Sequence, residues 1–123
     1  MANYIVWKNN VISMVRGDNF SNTFDLNKYL DSHILEQLSL NGGTLYFGLM
    51  YPNSHFEDSI IIKEYVLEES SEDYEVTILL SPDDTELLIP GTYYYTLKLE
   101  IQGGSEPSQV YTLIPKTKFL IID

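Results

Sequence analysis

Leu80-Ser81-Pro82-Asp83-Asp84-Thr85-Glu86-Leu87-Leu88-Ile89-Pro90-Gly91-Thr92-Tyr93-Tyr94-Tyr95 carries three structural instructions in succession. Ser81 is placed to cap a helical turn, and Pro82 falls at the first helical position, where its missing N–H does no harm. Asp84 stands where the Glu of a capping box would stand, and Asp83 and Asp84 suit the positive end of the turn. Pro90-Gly91 then stops the turn and redirects the chain. A strand begins at once. Tyr93, Tyr95, Leu97, Leu99 and Ile101 point one way, and Tyr94, Thr96, Lys98 and Glu100 the other. The pattern is that of a strand crossing through a helical turn, about residues 82–88, into a long half-buried strand. Nothing in it resembles a catalytic constellation.

Working outward, Tyr74, Val76, Ile78 and Leu80 alternate with Glu75, Thr77 and Leu79, a strand that runs straight into the turn. Upstream, Tyr4–Lys8 and Val11–Val15 read as strands joined tightly by Asn9-Asn10, because asparagine tolerates positive φ. Arg16-Gly17-Asp18-Asn19-Phe20 is a turn cluster, and Ser21–Leu26 a short strand. Residues 29–40 have helical spacing: Leu30, Ile34 or Leu35, and Leu38 share a face, with Asp31 or Ser32 as cap and Gly42-Gly43 as stop. Thr44–Tyr51 is a core strand in which Gly48 marks a bulge or a close approach by another backbone. Ser59–Leu67 is a further strand, with Ile60-Ile61-Ile62 too apolar for a solvent face. Glu68–Asp73 is an acidic loop. After the Tyr93–Ile101 strand, Gln109–Ile114 returns across a polar loop containing Gly103-Gly104, Pro115-Lys116 breaks the pattern, and Lys118–Ile122 ends the fold. Short strands at this spacing with one helix predict a single all-β domain over residues 1–123, an immunoglobulin-like β-sandwich.

Composition narrows the function. Eighteen acidic against seven basic side chains give a net charge of −11, which argues against nucleic acid and anionic membranes as partners. The chain has no cysteine, which excludes disulfides, thiolate metal sites and a cysteine nucleophile. Met1–Val15 lacks the basic start and apolar run of a secretory signal, so a soluble protein of the cytosol or of an assembled particle is expected. Ten tyrosines suit β-structure and a packing or binding surface.

Candidate chemistry is thin. Arg16-Gly17-Asp18 matches the adhesive tripeptide, but Gly-Asp after a strand is an ordinary turn. Glu68, Glu69, Glu72 and Asp73, or Asp83, Asp84 and Glu86, lack the spacing of a calcium loop and read as a solvated loop and a capped turn. His33 and His55 form no metal or catalytic motif, and no GxSxG elbow or phosphate-binding glycine loop is present. No enzyme activity, cofactor or metal is therefore expected. Tyr93 and Tyr95 fall on the core side of their strand, so only outward Tyr94, with Tyr111, is an interface candidate.

Three segments carry a resemblance. Val15-Arg16-Gly17-Asp18-Asn19-Phe20 resembles the opening of small tail and baseplate domains of phages infecting Gram-positive hosts. Leu80-Ser81-Pro82-Asp83-Asp84-Thr85, with Leu88, Pro90-Gly91 and Tyr93-Tyr94-Tyr95, is similar to their central segment. Ile114-Pro115-Lys116-Thr117-Lys118-Phe119 resembles their last strand. The family is that of the N-terminal domains of phage baseplate upper proteins and related prophage proteins. Thr96-Leu97 departs from its usual Asp-Ile, and residues 29–40 look like a helical insertion.

The resemblance implies a non-enzymatic structural role in a phage or prophage tail, with other virion proteins, and further copies of the chain, as partners. A chain ending just after its last strand is expected to be a free-standing module. Gly17, Asp18, Phe20, Pro82, Asp84, Thr85, Pro90, Gly91, Tyr93 and Tyr95 are the residues expected to fix the fold. The rival expectation is a β-sandwich binding carbohydrate or a host receptor, which requires outward aromatic rings beside polar partners.

Overall fold

The strand that opens at Gly91 is the spine of the molecule. The structure, a computed structural model, describes residues 4–6 (as backbone), 10–69, 74–102 and 107–123. Among them, β1 (Tyr4–Val6), β2 (Ile12–Val15), β3 (Phe20–Asp25), α1 (Ser32–Asn41), β4 (Gly43–Met50), β5 (Ile61–Leu67), β6 (Glu75–Leu80), α2 (Pro82–Thr85), β7 (Gly91–Ile101) and β8 (Gln109–Ile122) follow in order. One sheet runs β1-β2-β8-β7-β4-β5, and β3 pairs with β6 in a second. All ladders are antiparallel except β2 on β8, which is parallel with Ile12 opposite Phe119. The protein is all-β with two small helices.

Alternation decides what lies inside. Tyr93, Tyr95, Leu97, Leu99 and Ile101 of β7 are buried, as are Leu45, Phe47 and Leu49 of β4, which pair with Leu99, Leu97 and Tyr95. From the two-stranded sheet, Phe20, Phe24, Val76, Ile78 and Leu80 join the same core. Phe119 touches Phe20 at 5.7 Å between ring centroids, Tyr95 at 6.0 Å and Phe47 at 6.3 Å, so one ring bonds the two sheets together. Such aromatic pairs add about 0.5–1.5 kcal/mol each beyond burial.

The helix begins later than residues 29–40 predict. Asp25 caps a 3-10 turn at Leu26–Lys28, and the Asp31 carboxylate then accepts from the Ile34 N–H at 2.9 Å, so α1 starts at Ser32. It stops at Gly42, whose φ of 71° favours glycine, and Leu38 is its fully buried residue.

Several expectations are corrected. The first ladder closes at Val6 opposite Ile12, so β1 and β2 are not joined by a two-residue Asn9-Asn10 turn. Residues 7–9, including Lys8 and Asn9, lie outside the described residues. Asn10 does have positive φ, at 67°, and is held by the Tyr95 hydroxyl on its carbonyl and the Tyr29 hydroxyl on its side chain. β3 takes in Phe20 and ends at Asp25, because Leu26 turns into the 3-10 segment. β5 is an edge strand whose Ile62 and Val66 are exposed, at 45% and 75%; the isoleucine run does not bury both faces. Gly48 marks no bulge and no backbone approach. A Cβ there would meet the Phe56 ring at 2.6 Å and Ser59 Oγ at 2.7 Å. Pro115-Lys116 does not divide the last strand, since register shifts opposite Tyr95, Leu97 and Lys98 let β8 bulge and continue to Ile122. Residues 70–73, with Glu72 and Asp73 among them, and Gly103-Gly104 also fall outside the described residues.

Candidate functional site

The segment that organises the sequence also organises one end of the molecule. The Ser81 N–H donates to Asp84 Oδ2 at 2.8 Å, and the Ser81 hydroxyl donates to the same oxygen at 3.3 Å. Lys63 on β5 reaches Asp84 at 3.1 Å, which ties the edge strand to α2. Partial burial would raise the Asp84 pKa, but the Ser81 N–H and the Lys63 ammonium outweigh it and hold the carboxyl below its ordinary value. Thr85 is fully buried, and its Oγ1 accepts from the Gly17 N–H at 3.0 Å. Gly17 has φ +80°, and Asp18 closes the turn by donating its N–H to the Val15 carbonyl. Arg16 is engaged with Asp123, so Arg16-Gly17-Asp18 is built into a turn between β2 and β3.

At the other limb of the segment, Pro90-Gly91 leads into β7, and the Tyr93 hydroxyl donates back to the Ile89 carbonyl at 2.6 Å. Burial raises the Tyr93 and Tyr95 pKa values, with nearby Tyr51 and Tyr29 respectively adding to the shift. Leu87 and Ile89, which the sequence did not single out, project from this corner at 89% and 78% exposure. The structure thus brings Gly17, Asp18, Phe20, Pro82, Asp84 and Thr85 to one end, with Pro90, Gly91 and Tyr93 following directly along the chain. Tyr95 sits further up β7 in the core.

Tyr94 and Tyr111 are not neighbours. Tyr111 pairs with inward Leu99 and packs against the core, whereas Tyr94 lies on the opposite face beneath Lys116, whose Nζ is 5.4 Å from the ring centroid. His33 and His55 are exposed and separate, on α1 and in the loop before Phe56. Among the described residues, no group of three or more His, Asp or Glu side chains is placed to hold a metal. Glu68, Glu69, Asp83 and Glu86 are exposed.

A feature that sequence reasoning missed lies on the outer face of the larger sheet. The loop after β4 folds back over it, and the Phe56 ring seats on Gly48. Lys98 Nζ stands over that ring, 4.7 Å from its centroid, and Lys116 Nζ donates to the Pro52 and Ser54 carbonyls at 2.6 and 2.9 Å. Between loop and sheet is an open cavity of about 450 Å³, lined by His55, Phe56, Thr96, Lys98, Thr112 and Lys116 among others. The one trace of it in the sequence is outward Lys98 in an acid-rich chain. A second cavity, of about 330 Å³, lies beside Gly42 and Gly43 against Glu68 and Glu69.

What this geometry defines is a class: an all-β domain with a pinned corner at one end and a cation-lined hollow on one face. No family model matches the chain, and neither a curated protein nor a solved structure does. No helix among the described residues is long and apolar enough to cross a membrane.

Proposed function

We propose that the chain is a non-enzymatic structural protein of a phage or prophage tail or baseplate, built as an immunoglobulin-like β-sandwich and working as an assembly or docking module. The observation that carries this reading is the hydrogen bond from Gly17 to Thr85. It joins the first two of the three segments that resemble the baseplate family, although 68 residues separate them, so those segments act as one structural unit. The immunoglobulin-like reading is supported by the strand order β2-β8-β7-β4-β5 facing β3-β6, with β2 parallel to β8. It is supported too by Tyr93, whose hydroxyl returns to the chain four residues upstream at the start of a central strand, as in a tyrosine corner.

On this reading the exposed Leu87 and Ile89 beside the corner dock other tail proteins or further copies of the chain, in the virion tail and, before assembly, in the bacterial cytoplasm. Nucleic acid and membrane are not partners. Co-expression with neighbouring tail proteins, and light scattering over a range of concentrations, test it. A chain that stays monomeric and joins no tail protein overturns it.

The cavity between β7, β8 and the loop after β4 favours a second reading, a β-sandwich module that binds a carbohydrate or host receptor. Its cations and hydroxyls supply polar partners within one hollow. A glycan array distinguishes the two readings.

A further inference from the structure

The outer-face cavity concentrates positive charge in a strongly acidic protein. Of the seven basic residues of the whole chain, Lys98 and Lys116 both line it. Arg16 pairs with Asp123 and Lys63 with Asp84, while Lys28 and Lys118, which form no ion pair among the described residues, lie outside the cavity. Lys98 and Lys116 instead rest on neutral groups, a phenyl ring and two carbonyls, with no carboxylate within ion-pair distance among the described residues. These contacts fix both ammonium groups in place while leaving their charge uncompensated. A lysine can also donate three hydrogen bonds, and Lys116 spends two on carbonyls.

Thr96, 6% exposed, lines the same cavity and brings a hydroxyl to it. Thr112 adds a second hydroxyl, and the cavity of about 450 Å³ has the size of a small-molecule site. The distant acids of the chain do not forbid an anion here, since exposed charges beyond about 8 Å are largely screened at physiological salt.

We infer that this cavity binds a small polyhydroxylated carboxylate, an acidic sugar unit of the uronic acid type. The carboxylate lies between Lys98 and Lys116, and the sugar hydroxyls meet Thr96 and Thr112. The inference rests on the ligand-binding reading of this face and names its ligand class.

Calorimetric titration of the whole chain with glucuronate, glucose and acetate, alongside amide chemical-shift mapping, tests it. Glucuronate is expected to bind saturably and to shift Thr96, Lys98 and Thr112, with glucose and acetate far weaker. Lys98→Gln and Lys116→Gln each weaken binding roughly tenfold, the loss of one charge-assisted hydrogen bond. Lys118→Gln removes the same charge from a residue outside the cavity and leaves binding unchanged. Because Lys116 also anchors the loop through the Pro52 and Ser54 carbonyls, Lys98→Gln and Thr112→Ala, which leave those bonds intact, are read beside it. Glucose binding as tightly as glucuronate overturns the acidic class but leaves the ligand-binding reading standing. Acetate binding as tightly overturns the sugar. No binding of any sugar overturns both, and equal weakening by Lys118→Gln overturns the assignment to this cavity.

Discussion

The Gly17 N–H donates to Thr85 Oγ1 across 3.0 Å, joining the turn after β2 to the helical turn before β7. Gly17 sits at φ +80°, and Thr85 is fully buried. Thr85→Val keeps the side-chain shape but leaves the amide without its acceptor. A part-buried donor stripped of its partner costs about 1–3 kcal/mol, so the urea midpoint should fall with the slope unchanged. Thr85→Ser, which keeps the oxygen, should lose less. Gly17→Ala should cost about 1–2 kcal/mol through backbone strain alone, since the space beside it is open, with Glu86 Cβ at 3.9 Å. If Thr85→Val is as stable as the parent chain, the bond has no structural weight.

Asp84 makes the fold sensitive to acid. Its folded-state pKa is below the unfolded value of about 3.9, so its stabilisation is present above that pH and is lost as the pH falls through the folded-state value. Asp84→Asn should therefore be less stable than the parent chain near neutrality, by about 1 kcal/mol for the lost cap. The difference should shrink on going to about pH 3. Lys63→Met should reproduce part of the effect, because the Lys63 ammonium lowers the Asp84 pKa. A gap between parent and Asp84→Asn that stays constant with pH rules this account out.

How far such features can be read in advance depends on whether they are local. The box of Ser81 and Asp84, the stop at Gly42 and the inward set Tyr93, Tyr95, Leu97, Leu99 and Ile101 are set by residues a few positions apart, and the sequence displays them. Alternation tells which face a side chain takes, but not which strand lies beside it. So the parallel seating of β2 on β8 and the separation of Tyr94 from Tyr111 had no local signal. Pro115 looked like a terminator because a proline cannot donate to a ladder; a bulge in its own strand, β8, absorbs it. The cavity was least legible of all. It depends on Phe56 folding onto Gly48 and on Lys98 and Lys116 arriving from two strands.

Gly48 tests how that loop is held. A methyl group there would lie 2.6 Å from the Phe56 ring and 2.7 Å from Ser59 Oγ, so ring and serine must both shift. Gly48→Ala should destabilise by about 1–3 kcal/mol, the range for overpacking. It should also move the Lys98 resonances, since Nζ sits over the displaced ring. Phe56→Leu combined with Gly48→Ala should recover part of the loss. Unchanged stability together with unchanged Lys98 shifts would mean that the ring is not seated there.

Tyr93→Phe isolates one hydroxyl. Its bond to the Ile89 carbonyl, at 2.6 Å, holds the corner from which Leu87 and Ile89 project. Loss of the bond should cost about 0.5–1.5 kcal/mol. On the docking reading it should also weaken association with tail partners, because the apolar pair is no longer fixed. A variant that loses stability but associates as before would separate the corner from docking.

Alkali should act on the same set of rings. Burial raises the pKa values of Tyr95, Tyr93, Tyr29 and Tyr46, most strongly for Tyr95. In each the folded state favours the neutral phenol, so the folded chain holds the proton where the unfolded chain has lost it. The stabilisation is complete below the unfolded value of about 10 and falls as the pH rises above it. Tyrosinate absorbance should accordingly rise in two stages. Tyr95, the most strongly shifted, should ionise only as the circular dichroism of the fold is lost. Tyr95→Phe should begin from lower stability at neutral pH, having lost its bond to the Asn10 carbonyl, yet decline less steeply above about pH 10. A single titration of all ten tyrosines in a chain that remains folded is incompatible with Tyr95 standing at the centre of the core.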